Sequence, residues 1–281
     1  MKNDADLLQR LAKGAERYSA NQRLLAKYVQ NHYQTVAFST VSQLAELSGV
    51  SEATVVRFAK ALGFKGYPDF QKEVRRLVRA DLKGTERFQL SPADAGPLDL
   101  VLHKEMENLA ALREAFDAQA FRQALKAVRT ASEVMVVGAR ATAPLAAHLA
   151  FGLSKLGVRC ARALAVTSDT YDQLHRLERK ACVIVIGFPR YLRELVEVLD
   201  FAKTAELSTV AITDSAFSPL RGDVSLYAPA ESSSFVAFHA APLVLINALL
   251  HELSLGNRDA TLTALDRFEA VAEQRQFFQK G

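Results

Sequence analysis

At 281 residues the chain is long enough for two domains and a substantial core, and 49% apolar with 23% charged residues is ordinary for a soluble globular protein. No apolar run reaches the length of a membrane span, and the start Met1-Lys2-Asn3-Asp4-Ala5-Asp6 lacks a signal-peptide apolar region, so the cytosol is the expected compartment. The net charge of +4 is unevenly placed: residues 1–90 hold 15 Lys/Arg against 9 Asp/Glu, and the remainder 20 against 22. A basic head on a slightly acidic body suits nucleic-acid binding at one end and another task at the other.

In chain order, Asn21–His32 carries Leu24, Leu25, Tyr28 and Val29 at helical spacing and predicts a supporting helix. Residues 40–63, TVSQLAELSGVSEATVVRFAKALG, then read as two short helices joined by a Ser-Gly-Val turn, the layout of a helix-turn-helix DNA reader. Thr40 followed by Gln43 is a capping-box start, with Leu44, Ala45, Leu47 and Val50 as the apolar side. Ser51 can cap the second helix, in which Val55, Phe58, Ala59 and Leu62 recur on one face, and Gly63 fits a stop. That leaves Ser51, Glu52, Ala53, Thr54, Arg57 and Lys60 for base edges and phosphates, with Thr40 and Lys65 beside them. An ordinary αα-hairpin shares the helical spacing but does not account for the polar face.

Phe64, Tyr67 and Phe70 gather around Gly66 and Pro68 and cap a small core; Pro68 opens a helix over Asp69–Leu82. Its Lys72, Arg75, Arg76 and Arg79 fit either a contact with the DNA backbone or a solvated face. Gly84, Ser91, Pro92, Asp94, Gly96 and Pro97 mark a linker over 83–97, dividing an all-α domain, 1–82, from a second domain, 98–281. Leu98–Val128 is helical in pattern. Apolar strand candidates follow at Glu133–Gly138, Val158–Ala163, Ala181–Gly187, Thr209–Asp214 and Val224–Tyr227. Helical stretches Ala141–Leu156, Asp169–Glu178, Arg190–Ala205, Phe235–Leu255 and Ala260–Phe278 separate or follow them. The alternation predicts a five-stranded parallel sheet flanked by helices, with ligands at the carboxyl ends of the strands. Cys160 and Cys182 belong to no CxxC or Cys/His cluster, so buried thiols are expected, with no metal site, cofactor or catalytic group indicated.

The pattern SVSQLAxxxGVSxATVVRFxKxLGFxGYxxF, a linker and a five-stranded α/β domain together resemble the RpiR/MurR transcription regulators. The most specific matches are Val50–Phe58, Leu62–Tyr67, and Ile212-Thr213-Asp214-Ser215 followed by Ser218-Pro219-Leu220. The resemblance implies a C-terminal SIS domain (the sugar-isomerase fold), a homodimer or homotetramer, double-stranded operator DNA with inverted half-sites, and an effector that shifts DNA affinity. It implies no membrane partner.

The ligand motifs depart from that pattern. The family's GxGxS-like turn is here Gly138-Ala139-Arg140-Ala141-Thr142, with Arg140 for the second glycine. Its SxSGxTxE-like segment is here Gly187-Phe188-Pro189-Arg190-Tyr191-Leu192-Arg193-Glu194, where only Glu194 survives. The expected effector is a small anion, phosphosugar or carboxylate, held by Arg190 with Gly138, Arg140, Thr142, Phe188, Tyr191 and Glu194 nearby. An Arg190–Glu194 ion pair one helical turn apart is the structural alternative. Ser232-Ser233-Ser234 can cap the following helix or donate to the ligand, Ser233 being the nominee. His239 is expected packed and hydrogen-bonded. The rival reading is a sugar-phosphate isomerase or lyase with an accessory head, for which Glu194 and His239 are the available bases.

Overall fold

The computed structural model describes residues 11, 18–81, 85, 96–232 and 239–279. It contains two compact units, one within residues 1–93 and one from residue 94 onward. Most of the predicted 83–97 linker lies outside the described residues, and Pro97 is already helical.

The first unit is helical. Helix α1 (Ala20–Val36) and helix α2 (Val41–Ser48) each open on a complete capping box, Ser19 with Gln22 and Thr40 with Gln43. Helix α3 (Glu52–Ala61) starts at Ser51, whose hydroxyl accepts from Thr54 N. The α2–α3 turn hinges on Gly49, whose φ of +69° is the left-handed conformation that glycine adopts without a Cβ penalty. The bond from Val50 N to Ala45 O closes it as a Schellman turn. Leu25, Val29, Leu44, Val55, Phe58 and Phe70 are almost wholly buried, with Phe58 and Phe64 both set edge-on against Phe70. Leu47 does not join the apolar side as expected; it is 49% exposed.

Helix α4 (Tyr67–Asp81) fixes the α1–α2 connection through a ladder of donors at four-residue spacing. Tyr67 Oη and Gln71 Nε2 both donate to Ser39 O at 2.6 Å, and Arg75 Nε donates to Ala37 O at 2.6 Å. Burial pushes the Tyr67 phenol up to about 12, against a smaller opposing pull from Arg75, so it stays a donor. Arg75 therefore braces the backbone rather than standing free for DNA. The side chains of Arg76 and Arg79 lie outside the described residues.

The second unit begins with helices α5 (Pro97–Glu114) and α6 (Ala118–Thr130), where the apolar spacing predicts one helical stretch. Asp117 divides them: its Oδ1 accepts from Gln119 N and Ala120 N at 2.8 and 2.9 Å, an N-cap that starts a new helix. Strands β1 (Val134–Val137), β2 (Cys160–Ala163), β3 (Cys182–Ile186), β4 (Ser208–Thr213) and β5 (Val224–Tyr227) form one parallel sheet in the order β2-β1-β3-β4-β5. The crossovers carry helices α7 (Ala143–Lys155), α8 (Ser168–Arg176) and α9 (Arg193–Thr204); α10 (Ala240–Gly256) and α11 (Arg258–Arg275) follow.

Alternation along the strands feeds two cores. Val134, Val136, Cys182, Ile184 and Ile186 pack with α6, α7 and α10, while Met135, Val137, Val183 and Val185 pack with α8 and α9. A sheet covered on both faces explains why these strands read as continuous apolar runs. Cys160 and Cys182 both pair with Val134 from opposite sides, so two strand spacings, roughly 9–10 Å, keep them from bridging. Burial raises both thiols, to about 11 and about 12.

Candidate functional site

In the helical unit the structure gathers most of the nominated DNA residues on one exposed side. Ser51, Glu52, Ala53, Arg57 and Lys60 are exposed along α3, and Lys65 is exposed just beyond it. Thr40 is exposed at the start of α2, where its hydroxyl accepts from Gln43 N. Thr54 is the exception. It is only 6% exposed, and its Oγ1 lies 2.9 Å from Ser51 Oγ and 3.4 Å from Arg57 Nη2. Three residues past the N-cap its hydroxyl reaches back to Ser51, so Thr54 steadies Ser51 and Arg57 instead of presenting itself. Ser42, which the spacing does not single out, donates to Glu52 Oε1 at 2.5 Å and ties α2 to the first residue of α3.

In the α/β unit the sheet order reverses direction between β1 and β3: β2 lies on one side of β1, and β3, β4 and β5 on the other. Such a switch point opens a crevice at the carboxyl ends of the two central strands. The turns that follow β1 and β3 carry the nominated effector residues. Gly138 is held by close packing, since a Cβ there would lie 2.8 Å from Ala146 Cβ and 2.9 Å from Thr142 O. Arg140 takes φ +54° although it is not glycine, a left-handed backbone at the position where the family's turn has its second glycine. Its side chain is exposed, without an ion pair or hydrogen bond.

Three nominees serve the fold instead of facing outward. Thr142 is 5% exposed, and its hydroxyl donates to Ile186 O at 2.9 Å, with Ala139 O at 3.1 Å, pinning the β1 turn to the end of β3. Phe188 is 5% exposed in the core with Ala241 and Leu245. Tyr191 donates to Asp214 Oδ1 at 2.5 Å across the ends of β3 and β4. Apolar and hydroxyl side chains beside a buried strand end find tertiary partners that sequence spacing does not show. Asp214, the buried partner of Tyr191, is not among the nominees, although its place at the end of the strand run 209–213 signals it.

Arg190 remains exposed, in a connection that ends at Leu192; the Pro189–Arg190 peptide is cis. Because α9 starts at Arg193 rather than Arg190, the alternative Arg190–Glu194 pair does not form. The helical pair is Arg193 with Glu197 at 2.7 Å, and Arg190 and Glu194 have no ion pair or hydrogen bond. No side chain caps α9, leaving its first N–H groups open. A Cβ at Gly187 would collide with Leu220 Cδ1, so leucine fills the space beside the position of the family's first serine. Ser233 lies outside the described residues.

His239 is not hydrogen-bonded as expected. Its Nε2 is buried without a partner, its ring lies 5.8 Å from Phe188, and burial lowers its pKa against a smaller opposing effect of Glu105. His239 begins α10 and Glu194 lies in α9, helices that pack on opposite faces of the sheet. Among the described residues no cluster of His, Cys, Asp and Glu could hold a metal, and no helix is long and apolar enough to cross a membrane.

A capped helix-turn-helix and a doubly wound α/β domain in one chain make up a two-domain transcription regulator. Residues 5–78 match the rpiR-family helix-turn-helix domain and residues 128–252 match the SIS domain. The chain belongs to the rpiR family of transcription regulators. It is 21% identical over 254 residues to an HTH-type transcriptional regulator of Caldanaerobacter subterraneus, covering 87% of this chain and 89% of that protein. To the HTH-type transcriptional regulator YbbH of Bacillus subtilis it is 22% identical over 275 residues, covering 90% and 92%. Among solved structures, the sugar isomerase domain of the RpiR transcription factor from Sphaerobacter thermophilus matches at TM-score 0.60 and 27% identity, over 62% of this chain and 98% of that one. The Vibrio vulnificus NanR protein, solved in complex with ManNAc-6P, has the same fold at TM-score 0.59 and 20% identity, over 96% and 98%.

Proposed function

We propose that this transcription regulator is a cytosolic metabolite sensor. Its SIS domain takes a small anion, phosphosugar or carboxylate, at the carboxyl edge of β1 and β3, and occupancy changes the affinity of the helix-turn-helix for operator DNA. The observation that carries the reading is the pair Arg140 and Arg190. They are two exposed guanidinium groups without partners, on the turns after the adjacent strands that bound the switch-point crevice. Holding Arg140 in a left-handed conformation costs on the order of 1 kcal/mol, a strain that functional sites keep. The open N-terminus of α9 adds N–H donors and a favourable dipole. NanR, of the same fold, is bound to a phosphosugar in its complex.

On the DNA side, Arg57, Lys60 and Lys65 neutralise phosphates or read bases, with Ser51, Glu52 and Ala53 at the groove and the α2 N-terminus at Thr40 on the backbone. Two or four copies assemble. Apolar side chains left exposed on α5 (Leu98, Leu102, Met106) and α10 (Leu243, Val244) support a self-complementary interface between α/β units. Control of DNA affinity requires the effector to bind the DNA-competent and incompetent arrangements unequally. Calorimetry with candidate metabolites on the intact protein and on Arg190→Ala tests the sensor. Affinity unchanged by the substitution removes Arg190 from the site.

A further inference from the structure

Glu52 is the only acidic residue of α3, and it stands on the exposed side that also carries Arg57, Lys60 and Lys65. Its Oε1 accepts from Ser42 Oγ of α2, while Oε2 has no hydrogen bond or ion pair among the described residues. Ser42 and Glu52 are both exposed, so the link between them is a surface feature and not a core contact. The dipole at the start of α3 favours a carboxylate in its first turn. That accounts for the residue type, but not for a second helix holding one of its oxygens and leaving the other free.

On the reading that α3 enters the major groove, its first residues approach base edges between phosphates that repel a carboxylate. A carboxylate accepts and cannot donate, so its match in the groove is a base amino group. Guanine and thymine present acceptors or a methyl group there, and adenine sets its N7 acceptor beside its amino group. Cytosine offers its N4 amino group with no acceptor beside it on the same base. Ser42 restricts the long glutamate side chain before DNA arrives, which removes part of the ordering cost from binding. We infer that Glu52 specifies a cytosine in the operator half-site by accepting from its N4 amino group, with Ser42 as the positioning residue.

The test is in vitro selection from randomised duplexes by the full-length protein, as parent, Glu52→Ala, Glu52→Gln, Ser42→Ala and Ser42→Thr. Circular dichroism confirms that each variant folds, and fluorescence anisotropy measures affinity for the selected duplex and its single-base substitutions. The parent should select a cytosine whose replacement weakens binding about tenfold. Glu52→Ala should lose the preference at that one position, and Glu52→Gln should move it to adenine, whose N6 and N7 match a carboxamide. Ser42→Ala should keep the cytosine with weaker discrimination, and Ser42→Thr should restore the parent's ratio. Selection of the parent's sequence by both Glu52 variants overturns the inference and leaves the DNA face standing. Tighter binding of every sequence by Glu52→Ala, with preferences unchanged, overturns it too, since the carboxylate then only repels phosphate. Discrimination by Ser42→Ala equal to the parent's overturns the positioning role. Selection of no sequence by the parent overturns the reading of α3 as the DNA-reading helix, and the inference with it.

Discussion

The two ends of this regulator solve the placement of polar groups differently. In the helix-turn-helix, the capping side chains meet partners three residues away, and the donors of α4 that reach back to the α1–α2 connection repeat at four-residue spacing. Thr40 meets Gln43, Ser51 meets Thr54, and Tyr67, Gln71 and Arg75 repeat at helical spacing onto one loop. At the carboxyl edge of the sheet the partners are distant: Thr142 with Ile186, Tyr191 with Asp214, Phe188 with the start of α10. Local pairing makes a site readable from sequence, whereas tertiary pairing hides which nominees face the ligand and which hold the fold.

Phe188→Ala strikes that comparison hardest. Truncating a buried aromatic costs about 3–5 kcal/mol, because the cavity is only partly refilled. Thermal or urea unfolding should show a loss of that size with helix-turn-helix DNA contacts unaltered in kind. A cost below about 1 kcal/mol would mean the ring faces the crevice after all, since surface substitutions stay within that range.

Arg57→Ala probes the other end. Loss of a base contact costs about 1–3 kcal/mol, and loss of a phosphate contact lowers the salt slope by about one. Fluorescence anisotropy at several salt concentrations, on duplexes selected by the protein itself, separates these cases. Unchanged affinity and slope would remove Arg57 from the DNA face. Thr54→Ser should retain most of the affinity, because its hydroxyl acts within the cap.

The five strands, their parallel arrangement and most of the helices are legible in the sequence, because buried apolar runs and caps are local signals, whereas the order of the strands comes from the structure alone. The α5–α6 break is less so: Leu98–Val128 keeps its apolar spacing through Asp117, and only that one capping side chain marks the division. At the sensor edge, the sequence shows that the glycine and serine positions have changed. It does not show that Arg140 takes a left-handed backbone, or that Leu220 occupies the space beside Gly187. The second depends on segments far apart in the chain.

His239 sharpens the contrast through pH. With its folded pKa lowered by burial, the unfolded chain binds more protons than the native one once pH falls below the ordinary histidine value near 6.5. Its contribution to stability is therefore fully present above about pH 6.5 and is lost as pH falls toward the folded value. His239→Phe should flatten that part of the stability profile between about pH 7.5 and 5.5, read as the difference in Tm between variant and parent. An identical slope in both proteins would show that His239 finds a partner in solution.

Arg140→Gly carries the smallest effect on stability and the clearest division of roles. Relieving a non-glycine residue from a left-handed conformation gains roughly 1–2 kcal/mol, and the greater freedom of glycine in the unfolded chain takes back about 0.5–1 kcal/mol. The net should be a stabilisation of about 0.5 kcal/mol, a rise of a degree or two in Tm. Anion binding should fall at the same time, since one of the two guanidinium groups is gone. A rise in Tm with undiminished binding would make the arginine incidental to sensing. A fall in Tm would show that the side chain holds the turn, which leaves Arg190 as the remaining cation of the crevice. Stability and affinity moving in opposite directions is the signature of strain retained for a ligand, and no substitution on the exposed face of α3 is expected to show it, because no residue there has left-handed backbone to relieve.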